Sequence, residues 1–213
     1  MSVLLLVRHG QASFGAADYD LLSSEGEKQS QILGAALSER GIVPTRAVRG
    51  AMKRHAQTAE GAGFPDAVVD AGWDEFDHVQ VLSAHVPPES DEAVTERRSF
   101  QRWFELATER WMTGDFDDEY DESFSAFTGR VDAALRRTVE GLGSGDTAVV
   151  FTSGGAIGAV ASALLGGSTD LWSRLNSVTV NTGITKVVVG SRGMTLVSFN
   201  DHVHLEPDHV TYR

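Results

Sequence analysis

Short apolar runs alternate with amphipathic stretches near both ends of the chain. The apolar runs are typical of buried strands and cover residues 3–7, 47–49, 68–69, 147–152, 179–181, 184–189 and 195–199. Helix patterns follow several of these runs, over residues 24–40, 53–61 and 154–165. This alternation predicts an α/β fold, a three-layer sandwich in which helices flank a mostly parallel sheet.

The middle of the chain has a different pattern. Residues 89–143 carry two amphipathic helix patterns and no strand signal, and between them residues 115–122 hold six acidic side chains. The acids lack the glycine and terminal glutamate of a calcium loop, so we interpret them as a solvated loop. We therefore expect one domain over residues 1–213, with residues 89–143 as a helical insertion over the active-site edge of the sheet.

Composition narrows the classes of partner and of chemistry. The 213 residues include 18 basic and 30 acidic side chains, a formal net charge of −12. This charge disfavours nucleic acid and anionic membranes as partners, because both require a cationic surface. No segment resembles a secretion signal or a membrane span, so we expect a cytoplasmic protein. The absence of cysteine excludes thiolate nucleophiles, thiolate zinc sites and disulfides.

Two side chains that could take part in catalysis directly follow the first apolar run. Arg8 and His9 stand there, and ligands of parallel sheets bind at the carboxyl ends of the strands. The pair suits a phosphoryl group, since a guanidinium neutralises its oxygens while an imidazole attacks phosphorus. Gln11 and Ser13 add neutral hydrogen-bond donors. The alternative is a partly buried strand-end histidine beside a surface arginine.

A second cationic side chain follows another predicted strand. Arg54 lies at the start of the helix after residues 47–49, and Thr58 lies on the same helical face. Because the carboxyl ends of parallel strands share one edge, Arg54 can join Arg8 and His9 in one pocket. The alternative is an exposed arginine at a helix start.

Together these motifs resemble the histidine phosphatase (phosphoglycerate mutase-like) superfamily. The similarity rests on Val-Arg-His-Gly at 7–10, Leu-Ser-x-x-Gly-x-x-Gln at 22–29, Arg-x-x-Gln-Thr-Ala at 54–59 and Asn-Asp-x-x-His-Leu at 200–205. The matches follow the family's order and span nearly the whole chain. The resemblance implies that His9 is the nucleophile, that Arg8 and Arg54 hold the phosphate, and that neither metal nor cofactor takes part.

The resemblance also implies an acid in the segment after the third strand. Glu75 is the candidate proton donor to the leaving oxygen, with Asp74 and Asp77 as alternatives. Such a donor must stay protonated near neutral pH, so we expect burial and phosphate charge to raise the pKa of Glu75.

The chain departs from the family after residues 147–152. The family places a second active-site histidine there, whereas this chain has Ser153 and Gly154, both candidate phosphate-binding residues. A serine and the amides of a helix N-terminus bind phosphate but supply no imidazolium charge. Two explanations are open: another histidine, with His78 as first choice, enters the pocket, or the site binds phosphate and turns over poorly or not at all.

The remaining histidines have no predicted catalytic role. His55 is interpreted as a surface residue of its helix. His202, His204 and His209 lie near two aspartates, a pattern that hints at a metal site. The resemblance accounts for His204 as a structural or pocket-wall residue, so we predict no metal.

The resulting prediction is a metal-independent phosphomonoester hydrolase of the histidine acid type that forms a phosphohistidine. Two alternatives stay open: a phosphoglycerate-type mutase, and a phosphate-binding pseudoenzyme, which the serine at position 153 suggests. The expected partners are a small phosphorylated metabolite or inorganic phosphate and, in a homodimer, a second copy of the chain. The identity of the substrate is not encoded in any motif.

Overall fold

The computed structural model describes residues 1–13, 19–85 and 97–212, with side chains described from residue 102 onward in the last range. The chain forms two compact units, Met1–Glu75 with Val131–Arg213, and Phe76–Arg130. The second unit contains most of the segment predicted as an insertion, of which residues 89–96 lie outside the described ranges. The single domain over residues 1–213 stays a prediction.

Most strands and helices lie close to the positions that the sequence pattern predicts, but the helices at residues 78–83 and 169–178 are not among those predicted. The strands are β1 (Ser2–Arg8), β2 (Arg46–Arg49), β3 (Val68–Val69), β4 (Thr147–Thr152), β5 (Ile184–Gly190) and β6 (Gly193–Asp201). The helices are α1 (Ser24–Glu39), α2 (Lys53–Gly61), α3 (His78–Ser83), α4 (Arg97–Thr113), α5 (Phe124–Val139), α6 (Gly154–Leu164) and α7 (Thr169–Val178). Within the described ranges, no helix is both long enough and apolar enough to cross a membrane.

The sheet has the strand order β3-β2-β4-β1-β5-β6. The first four strands in this order pair in parallel, whereas β5 and β6 complete the sheet as antiparallel strands. The predicted α/β fold with a mostly parallel sheet is therefore confirmed. This order brings the carboxyl ends of β1, β2, β3 and β4 to one edge, where ligands of such sheets bind.

The central strand β1 is buried on both faces. Leu5 and Val7 belong to a core cluster on one face. Other members of this cluster are Leu33, Leu37, Ala59, Val149 and Phe151. Leu4 and Leu6 point to the opposite face, because side chains alternate along a strand, and they are fully buried as well. Helices therefore cover both faces of β1, as a three-layer sandwich requires.

The strand predicted at residues 179–181 is wrong. This segment is an irregular turn in which the Val180 amide donates to the side-chain oxygen of Asn200, at 2.8 Å. The next residue, Thr182, has a φ of 60°, a left-handed conformation that costs energy in a β-branched residue and cannot continue a strand. Backbone and side chains of this turn instead contact the residues that follow β1.

The start of α1 lies against the segment after β1. Ser23 caps this helix, and its side chain accepts a hydrogen bond from the Gly26 amide. A Cβ on Gly26 would lie 2.2 Å from the carbonyl oxygen of Gln11, a contact that neither backbone can relieve without moving. Glycine at this position therefore allows α1 to support the segment that carries His9.

Gly26→Ala should lower the free energy of unfolding by about 1–3 kcal/mol, because it forces two backbone segments apart. Gly129→Ala is the matched control within another helix, since a Cβ there has no atom within 4 Å. That control should be neutral or stabilise by about 0.5–1 kcal/mol through the helix propensity of alanine. Urea unfolding measures both values, and equal stability of the two variants would contradict the close approach.

Candidate active site

Four chain segments bring polar side chains to the carboxyl edge of the parallel strands. His9 directly follows β1, β2 leads into the first turn of α2, β3 leads to Asp74 and Glu75, and Ser153 directly follows β4. The residues at the ends of β1 and β4 lie opposite each other in the sheet register, Arg8 beside Thr152. The edge therefore collects cationic, acidic and imidazole groups from segments far apart in sequence.

His9 has its tautomer set by the backbone. Its Nδ1 lies 2.7 Å from the Gly10 carbonyl oxygen, which only accepts, so Nδ1 carries the proton and Nε2 the lone pair. The side chain is only 6% exposed, and its own carbonyl accepts from the Asn181 side chain at 3.0 Å. Desolvation lowers the pKa of His9 well below its usual value, and Arg54 and Arg8 lower it further. His9 is therefore held as a neutral, oriented imidazole whose Nε2 carries a lone pair.

The Arg8 guanidinium is anchored at one nitrogen. Nη1 donates to the carbonyl oxygens of Thr179 and Tyr212. Its Nε is buried and has no hydrogen-bond partner within the described part of the chain. Desolvation lowers the pKa of Arg8 to about 10, and the nearby charge of Glu75 opposes that shift. The group thus stays charged at neutral pH with a donor unused.

Arg54 is held in a similar way by an acid. Its Nη1 lies 2.7 Å from Oδ1 of Asp20, whose second oxygen accepts from the Lys53 amide at 2.8 Å. The residue is only 8% exposed, and its Nε is buried without a hydrogen-bond partner among the described residues. A buried guanidinium nitrogen without an acceptor is costly, so two of them near one imidazole indicate a site built for an anion.

The acidic segment after β3 is fixed to the end of β4. The Thr152 hydroxyl donates to the carbonyl oxygen of Trp73. Two residues later, Oε2 of Glu75 accepts from the Gly155 amide in the first turn of α6, at 2.9 Å. Glu75 therefore lies at the N-terminus of α6, within electrostatic reach of Arg8. The raised pKa expected for its carboxyl group stays a prediction.

His55 lies inside the site, and its interpretation as a surface residue is wrong. Its side chain is 0% exposed, and its Nε2 lies 2.7 Å from the Ser153 hydroxyl oxygen. The His9 and His55 ring centroids are 5.7 Å apart. The buried face of α2 is wide enough to include both Arg54 and its neighbour His55. The spacing from His55 to Thr58 is the signal that could have identified it.

Asp74 faces the other nitrogen of His55. Its Oδ1 lies 3.7 Å from His55 Nδ1 and accepts from the Ala51 amide at 2.6 Å. Desolvation opposes ionisation of Asp74, but His55 and the Ala51 amide outweigh it and lower the pKa of the carboxyl group. Desolvation also lowers the pKa of His55, and Asp74 counteracts this. His55 and the Ala51 amide therefore favour the ionised form of Asp74.

Gln11 and Ser13 are engaged in local hydrogen bonds. The Ser13 hydroxyl donates to the Leu22 carbonyl oxygen, and the side-chain oxygen of Gln11 accepts from the Ser23 hydroxyl, both at 2.8 Å. These contacts fasten the segment after His9 to the start of α1. Phosphate binding by Gln11 and Ser13 stays a prediction.

Gly154 and His78 belong to different units. A Cβ on Gly154 would lie 2.6 Å from Thr179 Oγ1 and 3.7 Å from Arg8 Nε, so the backbone of the β4–α6 turn lies beside that guanidinium. His78 opens α3 in the second unit, next to Asp77, which caps that helix. The roles of Gly154 and His78 stay predictions.

Two of the three C-terminal histidines have hydrogen-bond or ion-pair partners through Nδ1. His202 donates through Nδ1 to the Asn200 carbonyl oxygen at 2.6 Å, and His209 Nδ1 lies 2.5 Å from a carboxylate oxygen of Glu25. Desolvation lowers the pKa of His204 to about 4. Across the described ranges, no group of three or more His, Asp or Glu side chains is arranged to hold a metal ion. His209 therefore links the C-terminal tail to α1 through Glu25.

Comparisons with solved structures show proteins of the same fold. A mutant phosphoserine phosphatase from Entamoeba histolytica in complex with phosphoserine has a TM-score of 0.70 and 17% identity, over 97% of this chain and 100% of that chain. A mycobacterial glucosyl-3-phosphoglycerate phosphatase has a TM-score of 0.61 and 20% identity, over 93% and 98%. At such identities the likeness shows the fold alone. No curated protein matches the sequence significantly.

The family assignment rests on the sequence profile together with these motifs. A profile of the histidine phosphatase superfamily (branch 1) matches residues 4–202, which include every residue of the site just described except the Tyr212 carbonyl group. The predicted motifs around His9 and Arg54 lie together in the structure, as the resemblance implies. The chain belongs to the histidine phosphatase superfamily, branch 1.

Proposed function

We propose that this protein is a phosphomonoester hydrolase that forms a phosphohistidine on His9. The observation that carries the proposal is a neutral, buried imidazole flanked by two guanidinium groups, Arg8 and Arg54, each with a buried Nε that has no acceptor within the described ranges. A phosphoryl group presents the oxygens that such donors require and the phosphorus that His9 can attack. The similar structures named above are phosphatases of small phosphorylated metabolites, which favours the same substrate class.

In the first step, the Nε2 lone pair of His9 forms a bond to phosphorus. The bond between phosphorus and the ester oxygen breaks, and its electron pair stays on that oxygen. Glu75 transfers its proton to the leaving oxygen, so the alcohol departs neutral and Glu75 becomes a carboxylate. Arg8, Arg54 and the Gly154 amide at the start of α6 stabilise the charge on the phosphoryl oxygens.

In the second step, a water molecule attacks the phosphohistidine. Glu75 accepts a proton from that water as the new bond to phosphorus forms. The bond between phosphorus and nitrogen breaks, and its electron pair returns to Nε2 of His9. Inorganic phosphate leaves, and both side chains regain their starting protonation states. Glu75 carries the transferred proton, and the arginines with the helix-end amide stabilise the phosphoryl charge, so we propose a metal-independent, histidine acid-type mechanism.

Incubation with a panel of phosphomonoesters in the presence of EDTA tests this proposal. The panel should contain para-nitrophenyl phosphate, phosphoserine, a sugar phosphate and a phosphoglycerate. We expect release of inorganic phosphate that EDTA does not reduce, and a labelled phosphoenzyme that is stable in base and labile in acid. Loss of activity in EDTA would contradict the mechanism.

The same assay distinguishes the two alternatives. A mutase would move the phosphoryl group between the carbons of phosphoglycerate without releasing inorganic phosphate. A pseudoenzyme, suggested by Ser153, would bind inorganic phosphate in a calorimeter yet hydrolyse nothing in the panel. The two unused guanidinium nitrogens are compatible with phosphate binding in all three cases, so turnover decides among them.

The proposed partners follow from the charge of the chain. With a net charge of −12, the surface is unsuited to nucleic acid or anionic membranes, and a small phosphorylated metabolite is the substrate that we propose. A cytoplasmic location and a homodimer are part of the same proposal. Light scattering in solution and fractionation of the source cells are the measurements that test them.

A further inference from the structure

Ser153 stands at the junction of β4 and α6, and a histidine from another helix reaches it. His55 Nε2 lies 2.7 Å from Ser153 Oγ, while its Nδ1 faces Asp74 Oδ1 at 3.7 Å. We propose that His55 is a positioning residue that orients and polarises the Ser153 hydroxyl toward the transferring phosphoryl group, so that the two side chains together replace a single histidine at residue 153. This inference rests on the proposed hydrolase function.

Asp74 determines which nitrogen of His55 carries a proton. An ionised carboxylate favours N–H on the nitrogen that faces it, so Nδ1 holds the proton of the neutral imidazole. In that state Nε2 accepts a hydrogen bond from the Ser153 hydroxyl. When the imidazole takes up a second proton from solvent, Nε2 becomes a donor to Ser153 Oγ, and the Ser153 O–H group is free to donate a hydrogen bond to a phosphoryl oxygen.

The negative charge of a bound phosphoryl group favours the second protonation of His55. Burial and Arg54 disfavour the protonated form of His55, whereas Asp74 and Asp20 favour it. His9, 5.7 Å away between ring centroids, stays neutral when it attacks. A phosphoryl dianion beside His9 adds negative charge in a poorly solvated region, where it favours protonation of a nearby imidazole. The resulting positive charge acts on the phosphoryl oxygens through Ser153, by way of two successive hydrogen bonds.

The contact is part of a tightly built site. A Cβ on Gly50, at the end of β2, would lie 2.2 Å from His55 Nδ1 and 2.6 Å from Asp74 Oδ1. Any side chain at residue 50 would therefore clash with both groups, so glycine allows the backbone after β2 to lie against them. His55 Nδ1 is also fully buried, with no acceptor at hydrogen-bond distance within the described ranges. This buried nitrogen faces the Asp74 carboxylate at 3.7 Å without a close hydrogen bond, an interaction that a second proton on His55 would strengthen.

Exchanging the two positions tests the proposal. His55→Ala should reduce kcat about 100-fold with little change in KM, since the lost interaction is strongest in the transition state. Ser153→His added to that variant places an imidazole in the vacated space and should restore kcat to within about tenfold of the wild type. The matched control adds Ser153→Asn to His55→Ala. Asparagine is polar and smaller than histidine but has no imidazole, so this double variant should show no recovery of kcat. Thermal unfolding confirms that each variant is folded.

A second measurement uses the unmodified protein. In histidine labelled with ¹⁵N, both nitrogens of His55 should shift to the values of an imidazolium when vanadate binds beside His9. His202→Asn, which removes a histidine bonded to the Asn200 carbonyl group, is a control for resonance assignment that leaves this response intact. Unchanged His55 resonances with vanadate bound would overturn the inference, whatever the folding of the variants.

The outcomes separate this inference from the proposed function. A phosphoenzyme in the wild type, a slow His55→Ala variant and rescue by Ser153→His support both. A phosphoenzyme with unchanged kcat in His55→Ala overturns the role of His55 and leaves the hydrolase standing. A slow variant that Ser153→His rescues no better than Ser153→Asn overturns the inference in favour of a packing role. A wild type that forms no phosphoenzyme overturns the proposed function and this inference with it.

Discussion

His9→Asn should abolish phosphomonoester hydrolysis, with kcat reduced on the order of 10⁴-fold or more, because it removes the atom that accepts the phosphoryl group. Asparagine retains a polar side chain of similar reach, and its amide can still meet the Gly10 carbonyl oxygen that holds Nδ1 of His9. We therefore expect a folded variant that binds inorganic phosphate. Rapid-quench labelling should detect no phosphoenzyme in it.

The matched control for this variant is His202→Asn. It makes the same substitution at a histidine whose Nδ1 also donates to a backbone carbonyl oxygen, in the tail and away from Arg8 and Arg54. This control should keep wild-type kcat and wild-type labelling. If His9→Asn still formed an acid-labile phosphoenzyme, another side chain would have to be the nucleophile, and the proposed mechanism would be wrong.

Arg54→Met should reduce kcat/KM about 10²–10³-fold, the cost of one charged donor aimed at the developing charge of the transition state. Methionine fills much of the buried volume of the arginine stem, so packing changes little. Asp20 loses its ion pair yet still accepts from the Lys53 amide and is partly exposed, which limits the damage to folding. Steady-state kinetics and phosphate titration measure the two effects.

Two further variants make this prediction specific. Arg54→Lys keeps the charge without the fork of donors, so its kcat/KM should lie between the values of the wild type and of Arg54→Met. Arg136→Met removes another arginine from an ion pair, with Asp132 on the exposed face of α5, and should leave activity unchanged. Equal activity of Arg54→Met and Arg136→Met would show that Arg54 does not hold the phosphoryl group.

The acid pair after β3 shows where local sequence stops being informative. Asp74 and Glu75 are neighbours with the same charge, and the sequence leaves both open as proton donors. In the structure their extended backbone sends the two side chains in different directions, Asp74 to the Ala51 amide and Glu75 to the Gly155 amide. Those amides belong to distant segments, so the choice between the two acids depends on contacts that no local pattern contains.

The second unit illustrates the same limit for His78. The sequence favours it as the additional histidine because it lies three residues from Glu75. The boundary between the two units lies directly after Glu75, so closeness in sequence does not predict that His78 shares a site with Glu75. The histidine that contacts Ser153 is instead His55, which lies 98 positions away in sequence.

The sequence by itself determined the alternation of strands and helices, and hence an edge at which Arg8, His9 and Arg54 meet. It could do so because buried strands have a recognisable apolar pattern and parallel strands place their carboxyl ends together. Only the tertiary structure decided that the buried face of α2 includes His55 and that its imidazole reaches the Ser153 hydroxyl. A helix turns about 100° per residue, so neighbours such as Arg54 and His55 enter a site together only when the packing around the helix encloses both.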